Sequence, residues 1–152
     1  TIESMCVMLD EKNAHDLIFD VDIVVDCTDN FKTRYLLNQQ CFLHKKVLIS
    51  GAAIGFSGQL SVYDFRRIDS PCYQCLYSEQ DQSLQPSCSE SGVLSPVVGI
   101  IGSLQASEVL KVLIGRHDIL FKKLLLVDVL SMQHRLIHFV KDPACPICSR
   151  VI

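Results

Sequence analysis

Short apolar runs alternate with polar, helix-compatible segments along the chain. Residues 21–26 and 46–50 have the apolar character of buried parallel strands, and helices are expected at 11–19 and from Asp29 or Asn30 to about His44. Residues 59–65 predict a further strand, and 124–129 and 135–140 predict two final strands joined by a short turn. The apolar run 5–9 also predicts a buried strand. This alternation of strand and helix predicts an α/β fold.

One long helix is predicted in the second half of the chain. Ser95 is expected to be its N-cap, with Pro96 at the first helical position and Gly115 as its stop. Because this segment is apolar nearly all round, we expect the helix to be buried. Three small residues fall on one of its faces and predict the close approach of another element: Gly99, Gly102 and Ala106.

Composition limits the classes of protein to consider. The 152 residues are 49% hydrophobic and 20% charged, which predicts one globular domain over 1–152. The best apolar stretch is interrupted by Gln105, Glu108 and Lys111, so no membrane span is expected. The net charge is −3 and no Lys/Arg cluster is present, so nucleic acid is not an expected partner. Eight cysteines, with no signal-peptide pattern, favour a cytoplasmic location.

Two Cys-x-x-Cys pairs indicate a metal site. Cys72 and Cys75 form one pair and Cys145 and Cys148 the other, the spacing that lets two thiolates reach one ion from a tight turn. Together the pairs predict a structural zinc site that joins the end of the chain to its middle. The alternative is two unrelated pairs, redox-active or simply buried. The remaining cysteines Cys6, Cys27 and Cys41 are expected in the core.

Polar residues directly follow the predicted strand at 21–26. Asp29 stands where a strand ends and a helix begins, the edge at which α/β sheets bind ligands, and a carboxylate there can hold magnesium. The alternative for Asp29 and Asn30 is a helix cap. Arg34, one turn on, can reach a phosphate or pair with a carboxylate. The small residues of 51–58 permit close backbone approach or a sharp turn, and Cys88 lies in a polar stretch expected to form a loop.

Three segments carry a resemblance to a known family. The segments DCTDNFKTR (26–34), SGAAIGFSGQ (50–59) and GVLSPVVGIIGSLQA (92–106) resemble the ThiF/MoeB family, the bacterial relatives of ubiquitin-activating enzymes. The resemblance covers nearly the whole chain, including both cysteine pairs. It implies a Rossmann-like mixed sheet with helices on both faces, together with the structural four-cysteine zinc site.

The resemblance also implies an activity. Members of the family are adenylyltransferases that use ATP and magnesium to activate the C-terminal glycine of a ubiquitin-like sulfur-carrier protein of the ThiS/MoaD type, for thiamine or molybdopterin biosynthesis. Relatives form homodimers. Asp29 matches the magnesium and catalytic carboxylate, and Asn30 matches the adjacent nucleotide contact. Cys88 matches a cysteine with which some members bind the activated carrier covalently, and the alternative is an ordinary surface thiol.

The chain differs from the family pattern because one expected motif is missing from its sequence. The glycine-rich phosphate loop expected upstream is not among these residues, so the chain is interpreted as the C-terminal part of the domain, and the isolated chain is expected to be inactive. A second interpretation is a zinc-stabilised, non-catalytic module for carrier binding or dimerisation. A nicotinamide-dependent oxidoreductase is a weaker alternative, because it explains neither the cysteine pairs nor the Asp29-Asn30 motif.

Overall fold

The computed structural model describes residues 1–78 and 92–149. The strands lie side by side in chain order in one five-stranded sheet, in which β1 is parallel to β2 and the other neighbours are antiparallel. The elements are α1 (Ala14–Phe19), β1 (Ile23–Asp26), α2 (Phe31–Leu43), β2 (Val47–Ile54), β3 (Ser57–Asp64), α3 (Tyr73–Leu76), α4 (Ser95–Leu113), β4 (Lys123–Asp128) and β5 (Gln133–His138). The predicted mixed α/β sheet is confirmed.

The two long helices cover opposite faces of the sheet. Successive side chains of a strand point to opposite faces, and β2 shows this division: Leu48 belongs to the cluster packed under α2, whereas Val47 and Ile49 belong to the cluster under α4. On β3 the same alternation places Tyr63 under α2 and Val62 under α4. The predicted arrangement with helices on both faces is therefore confirmed.

The prediction that α4 is buried was wrong. One face of the helix packs on the sheet through Val97 and Ile101, but Leu110 and Leu113 on the other side are each more than 60% exposed. In the described part of the chain no atom of another element lies within 4 Å of a Cβ placed on Gly99 or Gly102, so the expected close approach is not observed. The helix begins at Ser95 with Leu94 as its N-cap, one residue before the prediction.

By length and apolar composition alone, α4 also meets the criterion for a membrane-spanning helix. The core helix of a soluble protein meets the same criterion. Two polar side chains of its inner face, Gln105 and Glu108, are buried against the rest of the protein. Gln105 donates hydrogen bonds to Asp26 O and Ile49 O, and Glu108 accepts one from the Leu120 amide. These contacts attach the helix to the sheet and to the segment that follows it.

The predicted strand at 5–9 was also wrong. None of the described strands pairs with this segment, and Met5, Val7 and Met8 are exposed. The first local hydrogen-bonded turn forms at Asp10, whose carboxylate accepts the amides of Lys12 and Asn13 just before α1. An apolar run forms a strand only where a neighbouring strand supplies its hydrogen bonds, and in the described residues this run has none.

Replacing two glycines by alanine should change the stability of the fold in opposite directions. A Cβ on Gly58 would lie 2.5 Å from Ile101 Cγ1, so Gly58→Ala overpacks the contact between β3 and α4 and should destabilise the fold by about 1–3 kcal/mol. Gly102→Ala is the matched control, because open space surrounds this helical position and alanine should gain up to about 1 kcal/mol. Urea denaturation of both variants checks this, and equal stabilities would contradict the packing.

Candidate functional site

The turn between β1 and α2 is held from the sheet by a buried carboxylate. Asp26, the last residue of β1, accepts hydrogen bonds from the Thr28 amide at 2.9 Å and the Thr28 hydroxyl at 2.7 Å. Its second oxygen accepts the Ser50 hydroxyl of β2 at 2.9 Å. Three donors therefore satisfy a carboxylate that is only 1% exposed, which makes its burial tolerable.

A glutamine from the middle of α4 holds the same turn from the opposite side. Gln105 Nε2 donates to Asp26 O at 2.8 Å, and its Oε1 accepts the Cys27 thiol at 3.5 Å. This approach depends on Gly51, since a Cβ there would lie 2.5 Å from Gln105 Cδ. The small residues of 51–58 thus permit close approach at Gly51, within β2, and the sharp turn occurs at Gly55, where φ is +54°.

Arg34 supplies the third contact to the turn. It lies buried on the inner face of α2, and its guanidinium donates to Thr28 O at 2.5 Å. Among the described residues it forms no ion pair with a carboxylate. From the sequence, a phosphate or a carboxylate was expected as its partner. In the structure its partner is the backbone carbonyl of Thr28.

The cap of α2 is Asn30, and Asp29 does not serve as one. Asn30 Oδ1 accepts the Thr33 amide at 2.9 Å, and its Nδ2 lies 3.5 Å from Asp29 Oδ1. The Asp29 side chain is exposed at the meeting point of two cavities of about 540 and 410 Å³. Its carboxylate is therefore presented to solvent-filled space, where a cation or a charged ligand can reach it.

The larger cavity opens between this turn, the β2–β3 hairpin and the β4–β5 pair. Its volume lies within the range of small-molecule sites. Charged residues of both signs line it: Asp29, Lys32, Arg34, Asp128 and Arg135. Sequence reasoning missed Asp128, Arg135 and Gln59, which come from three different strands or strand ends. Gln105 could have been singled out from the sequence, because it is a polar residue within an otherwise apolar predicted helix.

The four cysteines of the two pairs meet in one cluster. Three Sγ–Sγ distances are 3.5 Å for Cys72–Cys145, 3.9 Å for Cys72–Cys75 and 3.3 Å for Cys75–Cys148. All four sulfurs lie within 4.8 Å of one another. A tetrahedral ion with bonds of about 2.3 Å requires sulfurs about 3.8 Å apart. The cluster therefore fits one metal ion, and the alternative of two unrelated pairs is excluded.

Local hydrogen bonds prepare one of these thiols for metal binding. The hydrogen bond with Cys72, together with the amides of Cys72 and Asp142, lowers the pKa of Cys75 to about 5. Burial raises the pKa of Cys148 to about 12. Zinc and related ions bind thiolates and displace such protons. Four thiolate ligands leave no open coordination position, so the site suits a structural ion.

The other cysteine predictions have mixed outcomes. Cys41 is fully buried, and burial raises its pKa to about 12. Cys6 and Cys27 are exposed, so their assignment to the core was wrong. Cys6 belongs to the segment that forms no strand, and Cys27 lies in the turn beyond the end of β1. Cys88 lies outside the described residues, and its predicted role is not tested by the structure.

Comparison with known proteins identifies the family to which this chain is similar. Residues 1–147 match the ThiF family. The adenylyltransferase and sulfurtransferase MOCS3 of Caenorhabditis briggsae is 47% identical over 145 residues, which are 94% of this chain and 36% of that protein. The molybdopterin-synthase adenylyltransferase of Escherichia coli is 38% identical over 143 residues, which are 94% of this chain and 57% of that protein.

Solved structures give the same fold at much lower identity. Escherichia coli MccB with ATP matches at a TM-score of 0.74 and 16% identity, over 96% of this chain and 45% of that chain. MccB with MccA-N7isoASN gives a TM-score of 0.74 at 15% identity, over 96% and 46%. The chain thus spans roughly a third to three fifths of the relatives it matches. On the extent of the family match, the chain belongs to the ThiF family.

Substitutions in the turn separate capping from ligand binding. Asn30→Ala removes the cap of α2 and should lower the free energy of unfolding by about 1 kcal/mol. Asp29→Ala should change it by less than about 0.5 kcal/mol, because the side chain is exposed and caps nothing. Chemical denaturation of both variants checks this. A larger loss for Asp29→Ala than for Asn30→Ala would contradict the assignment.

The cysteine cluster predicts one bound ion per chain. Titration with Co²⁺ should give thiolate charge-transfer absorption that saturates at one equivalent, with weaker binding at lower pH because protons compete for the thiolates. Cys145→Ser should abolish the tetrathiolate spectrum, and Cys41→Ser is the control because Cys41 is buried outside the cluster. An unchanged spectrum in Cys145→Ser would contradict a shared site.

Proposed function

We propose that this chain carries part of the active site of an adenylyltransferase that activates the C-terminal glycine of a ubiquitin-like sulfur-carrier protein. The observation that carries the proposal is the Asp29 carboxylate, exposed where two cavities meet and held by a turn that three buried side chains fix. The named relatives are adenylyltransferases, one of them a molybdopterin-synthase adenylyltransferase. They favour the molybdopterin pathway over the thiamine pathway.

In the proposed reaction, a carboxylate oxygen of the carrier attacks the α-phosphorus of ATP. The bond from that phosphorus to the bridging oxygen breaks, pyrophosphate leaves with the electron pair, and an acyl-adenylate remains. Magnesium, when bound, neutralises charge on the phosphates. Asp29 is the residue proposed to hold it, with Asn30 contacting the nucleotide through the side-chain N–H that capping leaves available. Asp26, Gln105 and Arg34 keep this turn in position.

The four-cysteine cluster is proposed to hold structural zinc. Cys72, Cys75, Cys145 and Cys148 provide four soft ligands at tetrahedral spacing, which is the donor set that zinc prefers. A closed site of this kind takes no part in the chemical step. Its proposed contribution is to hold α3 and the segment after β5 together.

Cys88 is proposed to act after adenylation. Its thiolate would attack the carbonyl carbon of the acyl-adenylate, so that a thioester forms and AMP leaves. This role is supported only by the family resemblance of the sequence around it. Replacement by serine should leave adenylation intact and abolish a thiol-sensitive covalent adduct with the carrier, which denaturing electrophoresis without reductant detects.

The complete activity is proposed to need residues beyond this chain. The curated relatives are longer, and within the described residues the outer edge of β1 is unpaired and the outer face of α4 carries exposed apolar side chains. Such surfaces are typical of interfaces. We therefore also propose a cytoplasmic homodimer in which further segments cover them.

A zinc-stabilised module that binds the carrier or dimerises without catalysis is the second candidate. The same exposed apolar face of α4 favours it, because an interaction module requires an accessible surface and no complete nucleotide site. The two candidates differ in one measurement. A protein extended to the length of its relatives that binds the carrier and shows no nucleotide chemistry supports the module.

ATP–pyrophosphate exchange tests the proposed activity. The isolated chain should show no exchange above background, and the extended protein with its carrier should show it. Asp29→Asn in the extended protein should lower the rate by roughly 100-fold or more, the scale for losing one electrostatic contact to the phosphates. Asp16→Asn is the control, because Asp16 is an exposed carboxylate of α1 outside both cavities. Unaltered exchange in Asp29→Asn would overturn the assignment.

A further inference from the structure

The short helix α3 carries two cysteines of the metal cluster and two tyrosines that point elsewhere. Cys72 precedes the helix and Cys75 lies within it, while the rings of Tyr73 and Tyr77 contact each other with centroids 4.8 Å apart and planes tilted by 36°. Cys72, Cys145 and Cys148 belong to the same core cluster as the inner side of α2 and the sheet residues Leu48 and Tyr63. The position of α3 is therefore shared between the metal cluster and the core of the protein.

One contact leads from α3 to the larger cavity. The Tyr77 hydroxyl donates to Gln59 Oε1 at 2.8 Å. Gln59 lies on β3 and lines the cavity of about 540 Å³ that Asp29 also lines. Because its carbonyl oxygen is engaged by Tyr77, the orientation of the Gln59 amide in that cavity depends on where α3 stands.

A second contact leads from α3 to the Asp29 turn. The Tyr73 amide donates to Asn38 Oδ1 at 2.8 Å, and Asn38 is fully buried on α2. One turn earlier on the same helix, Arg34 donates to Thr28 O in the turn. In the described part of the chain, Arg34 Nε and Asn38 Nδ2 have no hydrogen-bond partner. Since unpaired buried donors are unfavourable, packing of α3 against α2 must hold this arrangement in place.

We propose that Tyr77 and Asn38 are positioning residues that couple the four-cysteine metal cluster to the Asp29 cavity. With the ion bound, α3 is fixed, and it holds Gln59 through Tyr77 and the turn through Asn38 and Arg34. Without the ion, α3 is released and both contacts weaken. The coupling itself depends on these contacts, whereas its consequence for adenylation rests on the proposed function. Linkage requires that the coupling is reciprocal, so occupation of the cavity changes metal affinity by the same factor.

Nuclear magnetic resonance of the metal-loaded chain tests the coupling. The reporters are the side-chain amide of Gln59 and the backbone amide of Thr28. Replacing Zn²⁺ by the larger Cd²⁺, and separately removing the ion with a chelator, should shift both reporters. If the chain unfolds when the chelator removes the ion, circular dichroism detects this. Because Cd²⁺ also binds four thiolates, the exchange of Zn²⁺ for Cd²⁺ still tests the coupling in that case.

Variants separate the two contacts. In Tyr77→Phe the response of Gln59 to the ion should be lost while that of Thr28 persists, and in Asn38→Ala the reverse is expected. Tyr63→Phe is the matched control, because Tyr63 lies in the same core cluster and Gln59 Oε1 is engaged by Tyr77. Its two responses should equal those of the unaltered chain. Each variant should still bind one ion, since none replaces a metal ligand.

The outcomes distinguish this inference from the proposed function. The coupling is overturned if metal exchange shifts the amide signals around Cys72 but leaves the signals of Gln59 and Thr28 unchanged. It is also overturned if Gln59 still responds to the ion in Tyr77→Phe. In the extended protein, Tyr77→Phe should lower the rate of ATP–pyrophosphate exchange without changing the amount of metal bound. If Asp29→Asn leaves exchange unaltered while both reporters respond to the ion, the coupling stands and the proposed function fails.

Discussion

The contact between the two cysteine pairs joins parts of the fold that lie far apart along the chain. Cys72 and Cys145 stand 73 positions apart, and their meeting closes a loop that contains α4, β4 and β5. On a chain-entropy estimate, a covalent link of this span stabilises a fold by about 4 kcal/mol, and an ion bound by all four thiolates would act in the same way. Such an ion would also fix α3, which packs against the inner side of α2.

A second constraint is the burial of polar side chains around one turn. Asp26, Arg34 and Gln105 come from a strand and two helices on opposite faces of the sheet, and each is less than 10% exposed. A buried polar group is tolerated only when it is hydrogen-bonded. Each of the three forms at least one hydrogen bond with a group of residues 26–28, and Arg34 Nε is left without a partner among the described residues. These contacts hold the turn without any contribution from Asp29, which remains available at its surface.

Local pattern predicted the elements well where a segment packs on its neighbours. The strands β1 to β5 and the helix α2 appeared near their expected positions, because periodicity records which faces are buried. The same reasoning failed for residues 5–9 and for the outer face of α4, where apolar side chains are exposed. Apolar character indicates that a surface tends to be covered. It does not identify the element that covers it.

Spacing along a few residues was enough to predict the α/β class, the two Cys-x-x-Cys pairs as one candidate metal site, and the position of Asp29 between a strand and a helix. The packed structure was needed to show that Asn30 caps α2, that Arg34 holds Thr28 O, and that Gln105 reaches the turn past Gly51. These contacts join residues up to 79 positions apart. The direction of a buried polar side chain follows from which partner lies across the core, and that is set by the packing of the whole sheet.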